Sequence, residues 1–156
     1  MVGKVEHELE VNVPASELWE IYGSLELANL VTKLLPDVFK SVEVVEGDGG
    51  VGTVLKVVFP EGTSLVTYFK EKIIVIDNEK RLKVTELIEG GFLNLGFSLY
   101  RVSLQIIEKD SNLSSIIKSS IEYEVEPGSE GNASFISVQP LQLAAEAIGK
   151  YLTEKV

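Results

Sequence analysis

Glu71 is the side chain whose type and position most directly suggest acid–base chemistry. It lies in SLVTYFKEKIIVID, a run with the two-residue alternation of a strand. Lys70 and Lys72 flank it, and two lysines on one face of a strand favour solvent on that face. Alternation then directs Glu71 inward, between Phe69 and Ile73. Burial raises the pKa of a carboxyl, which suits it to act as a general base near neutral pH. The alternative is a buried Glu paired with a Lys or Arg, with a structural role alone.

The segment EGDGGVGTV, residues 46–54, contains four glycines and raises the question of a phosphate-binding loop. Such loops need a helix directly after the glycines, because the amides at its N-terminus bind the phosphate. Here a strand-like run, TVLKVVF, follows, and no Lys-Ser or Lys-Thr pair is present. The segment therefore predicts a tight connection between two strands and not a nucleotide site.

The inventory of reactive side chains excludes several other chemistries. The chain has no Cys and a single His, His7 in VEHELEV, which we expect on the solvent face of the first strand, opposite Val5, Leu9 and Val11. A Ser-His-Asp triad and a His-rich metal site are therefore not expected. We expect no metal and no cofactor.

Length and charge limit the partners. The 156 residues predict a single domain, 1–156, and the net charge of −10 repels nucleic acid and anionic lipid surfaces. No apolar run reaches the roughly 18 residues of a membrane span, and the N-terminus lacks a signal core. We therefore expect a cytoplasmic protein that binds neither nucleic acid nor a membrane.

The elements predicted along the chain define an α+β fold. A first strand is followed by two short helices, ASELWEIYG and ELANLVTKLLP, then by six strands with short connections and by a long C-terminal helix. Connections this short require antiparallel strands, so we predict a seven-stranded antiparallel sheet around the helix. Asn132 or Ser134 is a candidate cap of that helix, and Pro140 should kink or restart it. Its apolar stripe comprises Leu141, Ala144, Ala145, Ile148 and Leu152.

Four linked motifs follow one another along the chain: SVEVVEGDGGVGTVLKVVFPEG, FKEKIIVIDNEKRLK, LIEGGFLNLGFSLYRV and SSIIKSSIEYEVE. In this order they resemble the Bet v 1 family of plant pathogenesis-related class 10 proteins, and within it the norcoclaurine synthases and their non-catalytic relatives. The resemblance runs from HELEV to the final helix. It implies a seven-stranded sheet that grips a long C-terminal helix around a large apolar cavity.

The resemblance also implies roles for individual residues. Norcoclaurine synthases condense dopamine with an aromatic aldehyde in a Pictet-Spengler reaction. A cavity Lys handles the proton transfers of the carbonyl and iminium, a Glu removes the ring proton, and a Tyr and an Asp bond the amine and hydroxyls. Matching KEK and NEKRLK assigns the Glu to Glu71 and the Lys to Lys83. The Tyr and Asp positions hold Phe69 and Val102, so the cavity should be more apolar than the family pattern.

Alternation and the resemblance disagree about Lys83. In KRLKVTELI the set Leu82, Val84 and Ile88 is the more apolar, so alternation alone directs Lys83 outward, whereas the ungapped resemblance favours an inward side chain. In NLGFSLYRVSLQII the pattern is clearer and directs Tyr100 and Val102 inward. The remaining candidates for the ligand-binding wall are Leu55, Val57, Phe59, Ile73, Phe92, Phe97, Phe135, Leu141 and Ala144.

Two functional hypotheses follow. The first, implied by the resemblance, is a cytosolic pathogenesis-related class 10 protein, a monomer or weak dimer. Its partner would be a small apolar or aromatic plant metabolite, such as a benzylisoquinoline alkaloid, held in the cavity. The second is a norcoclaurine-synthase-like enzyme that uses Lys83 and Glu71 for a Pictet-Spengler condensation or a related reaction. Both need a hollow centre, because a filled core would leave no room for a guest.

Overall fold

Seven strands form one sheet against which three helices pack. The computed structural model of the protein describes residues 1–62, 65–110 and 113–154. The strands and helices in chain order are β1 (Val2–Val11), α1 (Ala15–Tyr22), α2 (Glu26–Leu34), β2 (Ser41–Glu46), β3 (Val54–Val58), β4 (Tyr68–Asp77), β5 (Leu82–Gly90), β6 (Phe97–Lys109), β7 (Ser114–Val125) and α3 (Gln139–Thr153). Two 3₁₀ segments, Gly91–Leu95 and Glu130–Phe135, precede β6 and α3.

The sheet is antiparallel throughout and has the strand order β1-β7-β6-β5-β4-β3-β2. Strands β2 to β7 follow one another as neighbours, since their connections are short, and β1 closes the series by pairing with β7. The predicted α+β fold, with seven antiparallel strands, two short helices and a long C-terminal helix, is confirmed.

Helix α3 covers the β1–β7 side of the sheet and also contacts α2. Ala145 and Ile148 of its predicted stripe are completely buried. Pro140 lies in the first turn, where a missing amide hydrogen costs nothing, so the helix restarts there as one of the two predicted alternatives. The predicted caps are wrong, because residues 130–135 form a separate 3₁₀ segment. The amide of Gln139 donates instead to the hydroxyl of Ser137, at 3.1 Å.

The glycine-rich segment connects β2 to β3, as predicted. Gly47 has a φ of 95°, and a Cβ there would lie 2.8 Å from the Cα of Thr53, so only glycine fits the turn. Among the described residues, no helix combines the length and apolar character needed to cross a bilayer.

The expectation for His7 is wrong. Residues at odd positions of β1 share one face, and His7 is partly buried on the same side as Val5, Leu9 and Val11. The period of two requires this arrangement, because all four positions are odd. The solvent face of β1 carries the glutamates at even positions instead.

Strands β4 and β5 depart from simple alternation where they carry polar residues. The β4–β5 register shifts between Lys70 and Glu71, and again between Ile73 and Val75. Such bulges bend a strand and redirect its side chains. On β5, Lys83 is buried with only 5% of its surface exposed, whereas Ile88 is 48% exposed. This strand therefore directs a cation inward and an apolar side chain outward.

Candidate functional site

A cavity of about 240 Å³ lies between the inner face of the sheet and the helices. It is lined by side chains from β2 to β7, all three helices and both 3₁₀ segments or the residues next to them. Among the sequence-predicted wall residues, those on the cavity are Leu55, Val57, Phe59, Phe69, Glu71, Ile73, Lys83, Phe92, Tyr100, Val102, Phe135, Leu141 and Ala144. An apolar cavity of about 150 Å³ is enough for a benzene ring, so this cavity has room for an aromatic guest.

Phe97 is the exception among the predicted wall residues. It is buried but does not line the cavity. Its ring packs edge-on against Phe92, with 5.5 Å between centroids, and against Tyr123, at 5.8 Å. Phe97 therefore supports the wall from behind, and its prediction as a contact residue needs this correction.

The polar part of the cavity wall is formed by neighbouring positions of β4 and β5. Thr85 Oγ1 donates a hydrogen bond to Glu71 Oε2 at 3.2 Å. Lys83 lies two residues before Thr85 on the same strand and lines the same cavity. Within the described part of the chain no ion pair joins Lys83 to Glu71. The structural alternative for Glu71, a closed salt bridge with a Lys or Arg, is therefore not what this geometry shows.

Burial brings the pKa values of Lys83 and Glu71 closer to neutral pH. Burial lowers the pKa of Lys83 from its usual 10.5 to about 8, and the negative charge of Glu71 opposes that change. Burial raises the pKa of Glu71, against the Lys83 charge and the Thr85 hydrogen bond. The pair therefore combines an amine that exchanges protons near neutral pH with a carboxylate more basic than usual. These are the properties of a general acid and a general base.

Aromatic rings form much of the remaining wall. Phe92 stacks on Tyr100 with 4.8 Å between centroids and an interplanar angle of 4°. Phe59 packs edge-on against Phe69 at 5.4 Å, and Phe39 lies 6.0 Å from Phe59. Burial, and then the charge of Glu71, raise the pKa of the Tyr100 phenol, so it stays protonated. Flat apolar surfaces of this kind suit an aromatic guest.

Sequence reasoning missed about half of the residues that line the cavity, including every lining residue of α1 and α2. The missed residues are Tyr22, Ser24, Leu25, Leu27, Ala28, Val31, Phe39, Val42, Val66, Thr85, Leu104, Ile121, Ser137 and Pro140. Thr85 could have been found, because an inward Lys83 directs the residue two positions later to the same face. The helix residues had no such signal, since an apolar helix stripe is compatible with a filled core and with a cavity wall. No cluster of three or more metal-ligating side chains occurs among the described residues.

Comparison with known proteins places this cavity in context. The chain is 48% identical over 155 residues to norbelladine synthase of Narcissus pseudonarcissus, an alignment that covers 99% of this chain and 94% of the relative. It is 42% identical to S-norcoclaurine synthase 2 of Papaver somniferum, over 97% of this chain and 66% of the relative.

A solved structure of norcoclaurine synthase from Thalictrum flavum, in complex with dopamine and hydroxybenzaldehyde, superposes with a TM-score of 0.89. It is 38% identical, and the match covers 100% of this chain and 89% of the other. The family model of the Pathogenesis-related protein Bet v 1 family matches residues 1–153. The family model matches nearly the whole length of the chain, and relatives that are more than 40% identical align over almost all of it. The chain therefore belongs to the Bet v 1 family.

Proposed function

We propose that this protein is a condensing enzyme that joins an aromatic amine to an aromatic aldehyde inside its cavity, with Lys83 and Glu71 as the catalytic residues. The observation that carries the proposal is that an amine of pKa about 8 on β5 and a carboxyl of raised pKa on β4 line the same cavity from neighbouring strands. The relatives support it, since a norcoclaurine synthase of the same fold holds dopamine and hydroxybenzaldehyde.

Lys83 acts in the first half of the proposed reaction. The substrate amine attacks the aldehyde carbon, a C–N bond forms, and the carbinolamine loses water to give an iminium ion. Water leaves only after its oxygen gains a proton, which the Lys83 ammonium donates. The resulting neutral amine of Lys83 then takes a proton from the ammonium form of the next substrate, which frees that substrate amine for attack. A group with a pKa of about 8 populates both forms near neutral pH, which this exchange requires.

Glu71 acts in the second half. A ring carbon of the amine attacks the iminium carbon, so a C–C bond forms and the ring temporarily loses its aromaticity. The carboxylate of Glu71 removes the proton from that ring carbon, and the electron pair of the C–H bond restores the aromatic ring. The Glu71 carboxyl then gives this proton to the secondary amine of the product, which leaves as an ammonium ion and returns Glu71 to its carboxylate form. A raised pKa makes the carboxylate a stronger base for this step. The hydrogen bond from Thr85 holds the carboxylate in position.

Two positions limit the rate that we expect. Phe69 and Val102 are apolar where the family resemblance implies a Tyr and an Asp, and both line the cavity. Without these hydrogen-bonding groups, the orientation of the amine and its ring hydroxyls depends mainly on aromatic packing. We therefore expect slower turnover than in an enzyme that carries all four polar residues.

Incubation with dopamine and 4-hydroxyphenylacetaldehyde tests the proposal, with product formation followed by chiral chromatography. The uncatalysed reaction gives a racemic product, so an excess of one enantiomer identifies catalysis in the cavity. Lys83→Ala and Glu71→Gln should each reduce the enantioselective rate by at least about 100-fold. Lys72→Ala, a change of an exposed lysine on the same strand as Glu71, is the matched control and should leave the rate unchanged. A racemic product at the background rate would overturn the proposal.

A second function has one specific observation in its favour. The apolar side chains of Phe69 and Val102 make the cavity suitable for storing an apolar aromatic metabolite. A carrier would bind such a guest with saturable quenching of tyrosine fluorescence, because Tyr22 and Tyr100 both line the cavity. Saturable binding without enantioselective turnover would favour the carrier over the enzyme.

A further inference from the structure

Tyr22 lines the cavity and carries a buried hydroxyl group for which the described part of the protein supplies no partner. It is the last residue of α1, it lines the cavity, and only 1% of its surface is exposed. Its hydroxyl oxygen makes no hydrogen bond within the described residues. Buried hydroxyls nearly always have a partner, because a group removed from water without one is costly. A phenylalanine would fill the same space without that cost.

The serine and threonine hydroxyls on the cavity wall differ from the phenolic hydroxyl of Tyr22. The Ser24 hydroxyl donates to the carbonyl of Glu20 at 2.6 Å, the Ser137 hydroxyl accepts from the Gln139 amide, and the Thr85 hydroxyl donates to Glu71. These three groups are satisfied by the protein itself. Of the described buried polar atoms without a partner, the others belong to His7, Arg101 and Ser119, and none of those residues lines the cavity.

Tyr22 and the catalytic pair lie on different walls. Helix α1 packs on β6 and β7, whereas Glu71 is on β4. Tyr22 is also uncharged, because burial raises the pKa of its phenol, so it can donate and accept hydrogen bonds at any ordinary pH. A guest whose reacting group lies at Lys83 and Glu71 therefore meets Tyr22 with another part of its structure.

We propose that Tyr22 is a specificity-determining residue that hydrogen-bonds a hydroxyl group on the ring of the aromatic guest. The inference rests on the proposed function for one point, the location of the reacting group at Lys83 and Glu71. Since that group occupies the polar wall of the sheet, the partner of Tyr22 is a ring substituent. A phenolic hydroxyl fits because it both donates and accepts, as Tyr22 does.

A double-mutant cycle between protein and guest tests the assignment. Two pairs of probes differ only in the ring hydroxyl: 4-hydroxybenzaldehyde with benzaldehyde, and tyramine with phenethylamine. Their affinities are measured by calorimetry for the wild-type protein, for Tyr22→Phe and for Tyr123→Phe. Tyr123 is a buried tyrosine outside the cavity and provides the matched control.

In at least one pair, the hydroxylated probe should bind the wild-type protein more tightly by about two- to tenfold, the ratio that one neutral hydrogen bond supplies. This preference should disappear in Tyr22→Phe and persist in Tyr123→Phe. Without a guest, Tyr22→Phe should melt at the same temperature as the wild type or higher.

Each of the other possible results overturns either the role of Tyr22 alone or that role together with the proposed function. A preference that survives in Tyr22→Phe, or probes that bind equally well with and without the ring hydroxyl, overturns the role of Tyr22 and leaves the proposed function standing. A melting temperature several degrees lower in Tyr22→Phe shows that the hydroxyl already has a partner within the protein, and also overturns it. Failure of the wild-type protein to bind any of the four probes overturns the proposed function together with this inference.

Discussion

Replacing Lys83 by Met should stabilise the protein while removing its proposed catalytic acid. The pKa of Lys83 lies near 8 in the folded protein and is 10.5 for an unperturbed lysine. At about 1.4 kcal/mol per pKa unit, this difference corresponds to a penalty of about 3 kcal/mol for burying the ammonium. The value already includes the attraction of Glu71, and it is an upper value because local relaxation lowers it. A chain of this size gains roughly 2–4 °C in Tm per kcal/mol, so Lys83→Met should melt about 6–12 °C higher.

The gain should depend on pH in a defined direction. Below pH 8 the lysine is charged in both the folded and the unfolded protein, so the whole penalty is present. Between pH 8 and 10.5 the unfolded chain binds a proton that the folded protein does not, and the stability of the wild type rises with pH. The advantage of Lys83→Met should therefore be largest at and below pH 8 and vanish by about pH 10.5.

Thermal unfolding at pH 7, 9 and 10.5 measures both effects. Lys72→Met removes an exposed lysine from the neighbouring strand and controls for the loss of a surface charge, with an expected change within about 0.5 kcal/mol. The reasoning is refuted if Lys83→Met melts at or below the wild-type temperature at pH 7. It is equally refuted if the gain at pH 10.5 matches the gain at pH 7.

Three further predictions follow from the site and its supports. Thr85→Val removes the hydrogen bond that stabilises the Glu71 carboxylate, so the pKa of Glu71 should rise further and the acid limb of the pH–rate profile should move to higher pH; an unmoved limb contradicts this. Val102→Asp restores a carboxylate beside Thr85 and should increase the initial rate with dopamine several-fold, while lowering the unfolding free energy because a charge is buried. Equal or slower rates contradict the first part. Gly91→Ala should destabilise the protein by about 1–2 kcal/mol in urea unfolding, since φ is 56° and the new Cβ lies 3.0 Å from that of Phe69; wild-type stability contradicts it.

The fold was predictable because short-range sequence patterns indicate its strands and turns. Alternation identifies the strands, and short polar connections permit only antiparallel neighbours. The break between the 3₁₀ segment and α3 was harder to predict from the sequence. Asn132 and Ser134 are both residue types that favour a helix N-terminus, and only Pro140 marks the actual start of α3. The period of two determines the face on which His7 lies, so the sequence was sufficient to predict it, and the prediction was nevertheless wrong.

The site was only partly predictable from pattern. Glu71 follows from alternation, because its flanking lysines identify the wet face of β4. Lys83 does not, because β5 places polar residues inside and apolar ones outside, and only the family resemblance indicated the observed direction. Local rules of this kind fail at functional positions, where chemistry and packing make opposite demands. Tyr22 was missed because the apolar stripe of a helix has the same pattern whether it faces a cavity or a filled core.

The cavity in the centre of the fold lowers the stability of the protein as a whole. Side chains that border a cavity of about 240 Å³ have fewer packing partners than side chains in a filled core, and each missing van der Waals contact lowers stability slightly. Larger apolar side chains at the wall positions should therefore stabilise the fold and, at the same time, reduce the space for a guest.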